Sequence, residues 1–542
     1  MYRTVIWLII LLLVMTGIQF WNFSSDESSV NELEKNISSK EMVSKFSNLD
    51  KDTSLGAKIS DGNFSSLSNG SDWVLSNSPV LKDLTIGFDS RKSMHVFLQD
   101  AQVNGIKIID QSGELLTVRF KVLDLSKASD FLEVSGASTE PQFNYRLRSP
   151  DLPRADILED EKKFGAGANE WLGASLERKD WGKGVKVAVL DSGVERKNIN
   201  LSPLSFSEID LLGGSDSKKG HGTAVASIIA GNHSGQIGLS PSASILSIRV
   251  LNENGEGDSF TVAKGIVEAV DRGANVINLS LGGSGRSTVL KNAVDYASAH
   301  GAIVVAAVGN EGIGEVSYPA KFDHVIGVTS VDANGRQSSF ANYGKEVDIA
   351  APGVGVFSTW DDEGMVSFSG TSTAAAFVSG AIAAEISKNP NFQNNDVIDL
   401  IYNYANESEK PGIDEYTGRG TLNIGRIDNR NNPNIHDAAI VGYYFDPKFL
   451  QGGTTPFEVI VQNQGTATLN NLNLEVNYRG VVKTFFLSNL TPGQTRSEKL
   501  FLDSSSRGGD GVRISSNLFL NGAKDINPEN NSRISTISLP KL

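Results

Sequence analysis

Three side chains of this sequence are of the types that nucleophilic catalysis needs: Ser372, His221 and Asp191. Ser372 stands in Phe368-Ser369-Gly370-Thr371-Ser372-Thr373-Ala374-Ala375-Ala376, where a small, Gly-preceded serine opens a helix-like run through Phe377, Val378, Gly380, Ala381 and Ile382. The first turn of a helix has free N–H groups and the positive end of the helix dipole, so negative charge developing there is stabilised. A serine hydroxyl is inert at its free pKa; it needs a general base, and the base needs an orienting partner. His221, in Gly220-His221-Gly222-Thr223, is the candidate base, and Asp191, in Asp191-Ser192-Gly193, is the candidate orienting group. Each also has an ordinary structural use. Gly-Thr-Ser before an Ala-rich run serves as a helix cap, a Gly-flanked His as a loop residue, and Asp before Gly as a turn.

The elements that must hold these groups are legible from periodicity. Strand-like runs at Val185–Leu190, Ile245–Val250, Val276–Ser280, Ile303–Ala307 and Val325–Val331 alternate with helix-like runs at Ala224–Ala230, Phe260–Arg272, Thr288–His300 and Ser372–Asn389. That alternation predicts a mostly parallel sheet with helices on both faces, which binds ligands beyond the carboxyl ends of its strands. Asp191 and Asn310 each follow a strand at that end. An Asn in Gly309-Asn310-Glu311-Gly312 is also an ordinary turn residue.

In the order Asp, His, Ser, these motifs resemble the subtilisin-like serine proteases, the subtilases. The resemblance runs from about Trp171 to Asn423. It rests on Val-Ala-Val-Leu-Asp-Ser-Gly-Val, Gly-His-Gly-Thr-Ala-Val-Ala, Asn278-Leu279-Ser280-Leu281-Gly282-Gly283, Gly309-Asn310-Glu311-Gly312, Ala351-Pro352-Gly353 and Gly370-Thr371-Ser372. It implies a serine endopeptidase in which Ser372 attacks the peptide carbonyl, His221 moves the proton and Asp191 holds the imidazole. Asn310 and the Ser372 N–H are then the oxyanion donors. It also implies that Ser280-Leu281-Gly282-Gly283 and the loop around Glu256-Gly257-Asp258 flank an extended peptide, and that Ala306, Ala307, Gly309 and Ser317 line the first specificity pocket. Small residues there favour a large apolar or aromatic side chain before the cut bond. Glu311 and Glu315 would extend tolerance to Lys or Arg, unless they are solvated loop charges.

The family's Met-Ala-Ala-Pro-His after the serine is here Thr373-Ala374-Ala375-Ala376-Phe377, a change in helix packing rather than in chemistry. The chemistry requires no cofactor. Gly231-Asn232-His233-Ser234-Gly235-Gln236-Ile237-Gly238 is shorter than the family's calcium loop and has no cluster of Asp and Asn. No metal site is assigned, and a structural calcium is not evident.

Across the whole chain, 39% hydrophobic residues suffice for a large core, and a formal charge of -14 argues against a nucleic-acid partner. With no cysteine there is no disulfide framework, thiolate metal site or thiol nucleophile. Arg3 before the apolar run Val5 to Ile18 reads as a signal peptide or signal-anchor over 1–21, which predicts an extracytoplasmic protein, secreted or membrane-tethered. A Ser- and Asn-rich stretch, 22–79, reads as a disordered spacer. Residues 80–150 form a small α+β module whose tail, Glu140 to Leu147, resembles that of the family's inhibitory propeptide; a plain accessory domain fits the same pattern. The catalytic domain is expected over 151–427 and a linker over 428–435. An all-β sandwich over 436–542 resembles the adhesion-related CARDB modules and implies a cell-surface or protein partner, or else a passive spacer. The expected fold class is therefore α/β, a subtilisin-like mostly parallel sheet preceded by a small α+β propeptide and followed by an all-β sandwich. The expected function is an exported, self-processed endopeptidase acting on protein or peptide substrates, with its own propeptide as inhibitor. The alternative is a non-catalytic adhesion protein that retains the protease scaffold.

Overall fold

The computed structural model describes residues 79–154, 158, 161–174, 177–198, 205–213, 220–233, 236–360, 364–406, 413–445, 454–503 and 512–537. The apolar segment at 1–21 and the polar spacer before residue 79 lie outside them. The first described elements are β1 (Pro79–Gly87), α1 (Arg91–Asp100), β2 (Ile106–Ser112), β3 (Thr117–Val122), α2 (Leu125–Val134) and β4 (Gln142–Arg148). The strands form one antiparallel sheet, β2-β3-β1-β4, whose core holds Ile86, Phe97, Val118 and Phe120. Helix α1 is not among the sequence expectations. Its apolar signal is Met94 and Phe97 within a charged run, and Ser90 caps it by accepting from the Ser93 N–H at 3.1 Å.

The central layer is built mostly from strands whose residues are apolar on both faces, as buried parallel strands are, the partly exposed edge strand Phe206–Asp210 being the exception. These are β5 (Lys186–Asp191), β6 (Phe206–Asp210), β7 (Ser244–Arg249), β9 (Val276–Leu279), β10 (Ile303–Ala307), β11 (Val325–Val331) and β12 (Ile349–Pro352), with the short β8 (Glu256–Asp258) outside the sheet. Their order is β12-β11-β10-β9-β5-β7-β6, with every pair parallel. Alternation along β5 sends Val187 and Val189 to one core and Ala188 and Leu190 to the other. The first core packs under α3 (Gly220–Ala230) and α6 (Thr371–Lys388), the second under α4 (Ser259–Asp271) and α5 (Thr288–Ala299). The chain runs from β5 outward to one edge and then returns to fill the other, so β5 is the topological switch point. Asp191 ends it. Helix α6 is buried from Thr371 to Glu385, as a helix of small and apolar residues all round must be.

Beyond this layer come β13 (Val356–Thr359) and β14 (Met365–Phe368), a hairpin, then α7 (Asn394–Asn403) and two antiparallel sheets. One sheet orders β15 (Ala438–Phe445), β16 (Thr454–Asn463) and β19 (Thr495–Asp503). The other orders β18 (Val481–Leu487), β17 (Leu472–Tyr478), β20 (Val512–Leu520) and β21 (Ser532–Ile537). Phe457, Val459, Val461, Leu474, Val476, Leu502 and Ile514 fill the core between them. An Arg336–Glu458 ion pair at 3.2 Å ties this region to the parallel-sheet layer.

Candidate active site

His221 sits in the first turn of α3, and its Nδ1 lies 2.9 Å from both Asp191 carboxylate oxygens. A carboxylate only accepts, so Nδ1 carries the proton and Nε2 is left as the basic atom. Asp191 is fully buried and is held further by the Ser192 N–H at 2.7 Å. The helix can approach the strand this closely only because residue 222 is glycine. A Cβ there would meet the Gly193 carbonyl oxygen at 2.3 Å and Asp191 Cβ at 3.1 Å. The imidazole makes T-shaped contacts with Phe368 at 5.4 Å and Trp360 at 6.4 Å.

Ser372 is the second residue of α6, a helix that packs against α3. Its Oγ donates to the Ser280 carbonyl at 3.5 Å, while His221 Nε2 is buried without a hydrogen-bond partner. A buried chain of hydrogen bonds positions this corner. Ser379 Oγ donates to Asn278 Oδ1 at 2.9 Å, Asn278 Nδ2 to Ser280 Oγ at 2.9 Å, and Ser280 Oγ to the Ser372 carbonyl at 3.2 Å.

Asn310 follows β10 at the same end of the sheet. Its Oδ1 accepts from the Thr371 N–H at 3.0 Å and Thr371 Oγ at 2.9 Å, so the amide NH2 is turned into the cleft. There Nδ2 donates to the backbone carbonyl of Asp151 at 3.0 Å. Gly370, at φ 142°, leaves room for that amide; a Cβ there would lie 3.0 Å from Asn310 Nδ2. Asn278, Ser379, Thr371 and Gly222 are thus supporting residues that sequence reasoning did not single out. For Gly222 the available signal was its place directly after the histidine.

The cleft beside these groups is filled by the chain's own β4. It pairs antiparallel with β8, through Arg148–Glu256, Leu147–Gly257 and Arg146–Asp258, and on its other side with Gly282 through two hydrogen bonds of 3.0 and 2.8 Å. Gly283 must be glycine for this approach, since a Cβ there would lie 2.7 Å from the Arg146 carbonyl. Asn144, fully buried, bonds the start of α4: its Oδ1 accepts from Ser259 Oγ and the Phe260 N–H, and its Nδ2 donates to Asp258. Across the same interface Arg119 bridges Asp83 at 2.5 Å and Asp258 at 3.2 Å, and Lys264 reaches Asp110 at 2.8 Å.

A pocket lies at the end of this strand, lined by Gly282, Gly283, Gly309, Ser317, Glu311 and Glu315 together with Arg148 and Pro150. Of the residues expected in it, Gly309 and Ser317 are present. Ala306 and Ala307 do not line it: successive strand residues point to opposite faces, and these two are buried in the two separate cores of the sheet. Leu281 is likewise buried in the core, so the Ser280–Gly282 segment meets β4 by backbone alone. Glu311 accepts from Asn342 Nδ2 at 2.7 Å, and Glu315 lies 3.7 Å from Lys321. Among the described residues no group of three or more His, Asp or Glu side chains could hold a metal ion. His233 lies in a two-residue pairing with Gln236.

The family model for the "Subtilase family" matches residues 182–420. Subtilisin DY of Bacillus licheniformis is 38% identical over 250 residues, covering 45% of this chain and 90% of that protein. The chain belongs to the subtilase family. An alkaline protease of Shouchella clausii is 37% identical over 354 residues, covering 62% of this chain and 89% of that protein. Among solved structures, the epidermin leader peptide processing serine protease of Staphylococcus aureus superposes with a TM-score of 0.54. It is 23% identical, over 65% of this chain and 98% of that one, and so speaks to the fold alone. This subtilase is a subtilisin-like serine endopeptidase with an α/β fold.

Proposed function

We propose that this subtilase is an exported endopeptidase made as a self-processed zymogen, with Asp191, His221 and Ser372 as its triad and Asn310 as its side-chain oxyanion donor. The observation that carries the assignment is the shared corner itself. A buried carboxylate lies 2.9 Å from His221 Nδ1, a serine opens the adjoining helix, and an amide NH2 is held pointing at a peptide carbonyl. In the reaction Ser372 Oγ bonds to the substrate carbonyl carbon as its proton passes to His221 Nε2. The oxyanion is stabilised by Asn310 Nδ2 and the Ser372 N–H at the helix N-terminus. Collapse breaks the C–N bond, the His221 proton leaves with the amine, and water hydrolyses the acyl-enzyme by the same route reversed. Asp191 keeps the imidazole in the tautomer that can accept and then return the proton.

Residues 80–150 act as the propeptide in this reading, because β4 occupies the substrate cleft as an extended strand paired on both sides. Pairing of this kind is how a peptide substrate would be held. The pocket accommodates large side chains before the cut bond, and Glu311 and Glu315 extend its tolerance to Lys and Arg. Export rests on Arg3 and the apolar run Val5 to Ile18, and the region 436–542 serves as a surface- or protein-binding module. The deciding experiment compares wild type with Ser372→Ala by intact mass after incubation. Loss of the segment up to about residue 150 in wild type alone supports catalysis and self-processing together. If both stay whole and neither cuts casein, the assignment fails.

A further inference from the structure

The segment after β4 crosses the candidate site with a proline at a position where the strand ladder calls for an N–H. Arg148 makes both hydrogen bonds of an antiparallel pair with Gly282, its N–H donating at 3.0 Å and its carbonyl accepting at 2.8 Å. In such a ladder the next residue of the same kind lies two positions on, so residue 150 comes opposite Ser280 and should donate its N–H to the Ser280 carbonyl. Residue 150 is proline and has no N–H. Three observations follow that absence. The Ser280 carbonyl accepts from Ser372 Oγ instead, at 3.5 Å, and His221 Nε2, which must take the serine proton, is left buried and unpartnered. The Asn310 amide holds the carbonyl of Asp151, one residue beyond the carbonyl that the ladder would deliver. An Arg148–Asp151 ion pair at 3.2 Å closes the bend across the proline.

We propose that Pro150 makes residues 148–151 a latch rather than a substrate, and that it determines where the chain is not cut. This rests on the zymogen reading above. While the latch is in place the nucleophile is parked on the Ser280 carbonyl. A substrate that offers an N–H to that carbonyl displaces Ser372 Oγ, which turns to His221 Nε2. With Pro150→Ala the N–H is supplied by residue 150 itself, and its own carbonyl moves onto the Asn310 amide. The bond from Ser372 Oγ to carbon 150 forms, the C–N bond to Asp151 breaks with the His221 proton going to the new amine, and water releases the acyl group. In wild type the first cut does not fall after residue 150.

The test follows full-length wild type, Pro150→Ala and Pro150→Ala with Ser372→Ala by time-resolved intact mass and N-terminal reading. In parallel, synthetic peptides spanning residues 144–156, with Pro or Ala at 150, are offered to the active enzyme. The expected results are a species beginning at Asp151 in Pro150→Ala, formed at least ~10-fold faster than any wild-type cut within 148–152, and absent in the double variant. The Ala peptide should be cut after residue 150 while the Pro peptide inhibits uncut. Cutting after residue 150 at equal rates in wild type and Pro150→Ala, or in both peptides, overturns the latch. So does failure of both Ala forms to be cut there. The same Asp151 species in the double variant would instead remove self-processing, leaving the peptide pair to decide the latch by itself.

Discussion

Replacing Gly222 by Ala tests whether the closeness of α3 to the end of β5 is what makes His221 a base. The added Cβ would stand 2.3 Å from the Gly193 carbonyl oxygen, against backbone rather than a movable side chain. Relieving it requires the helix and the 191–193 turn to separate by on the order of 1 Å, since non-bonded heavy atoms settle near 3.5 Å. The 2.9 Å contacts between His221 Nδ1 and Asp191 would lengthen past hydrogen-bonding range by a similar amount. A misplacement of that size costs about 10²-fold in rate. The backbone at Gly282 and β8 that pairs with β4, and would pair with a substrate in the proposed function, lies elsewhere, so the loss belongs in kcat with KM little changed. Overpacking should also lower stability by roughly 1–3 kcal/mol, leaving a folded protein. Steady-state kinetics on a chromogenic peptide, with thermal unfolding alongside, read both effects. Gly220→Ala is the control. Its Cβ would meet Trp360 Nε1 at 2.0 Å, but an indole ring can swing aside, and the expected loss is under ~10-fold. Wild-type kcat in Gly222→Ala, or equal losses in the two variants, would refute the reasoning.

Asn310→Ala should lower kcat by about 10²–10³-fold, the size known for loss of the side-chain oxyanion donor in a subtilisin, and leave KM nearly unchanged; a KM effect alone would count against the donor role. Lys162 gives a pH prediction. Burial, with Arg533 adding to it and Asp332 opposing, pushes its ammonium down to about 7. Between there and the ordinary value of 10.5 the unfolded chain holds a proton that the folded one has lost, so stability rises with pH across that window, by at most about 1.4 kcal/mol per unit. In a Ser372→Ala background, Lys162→Met should therefore be more stable than its parent at pH ~6, with the gap closing toward pH ~10. A gap constant with pH, read from urea midpoints, would rule out the titration. Asp437 runs the other way: burial raises its carboxyl to about 6, so its destabilising charge grows as pH rises from 3.8 through that value. Asp437→Asn should stabilise above pH ~6 and do nothing near pH ~3, again by urea midpoints. Arg119→Ala strands the buried Asp83 and should cost about 3–5 kcal/mol in the 79–148 region, visible as faster hydrogen exchange there and not in α6.

The parallel strands were legible because burial on both faces leaves an unbroken apolar run, and Ile303–Ala307 and Val325–Val331 were bounded from sequence as they are found. Elements with weaker apolar signals were lost. Ile349–Pro352 ends in a proline that reads as a turn, and α1 contributes only two buried residues from a charged stretch. At the site, residue types were readable and directions were not. Sequence offers Ala306 and Ala307 as a pair of small pocket residues, but a strand must send neighbours to opposite faces, and each is spent in a different core. It offers Asn310 as a donor, yet which end of the amide faces the cleft is decided by Thr371, a residue far along the chain. Pro150 is the extreme case. A proline in Ser-Pro-Asp reads only as a turn until Arg148 is paired with Gly282, and only then does its missing N–H fall opposite the Ser280 carbonyl. Chemistry was therefore encoded where a residue acts alone. It was hidden wherever a residue acts through the register of two distant strands.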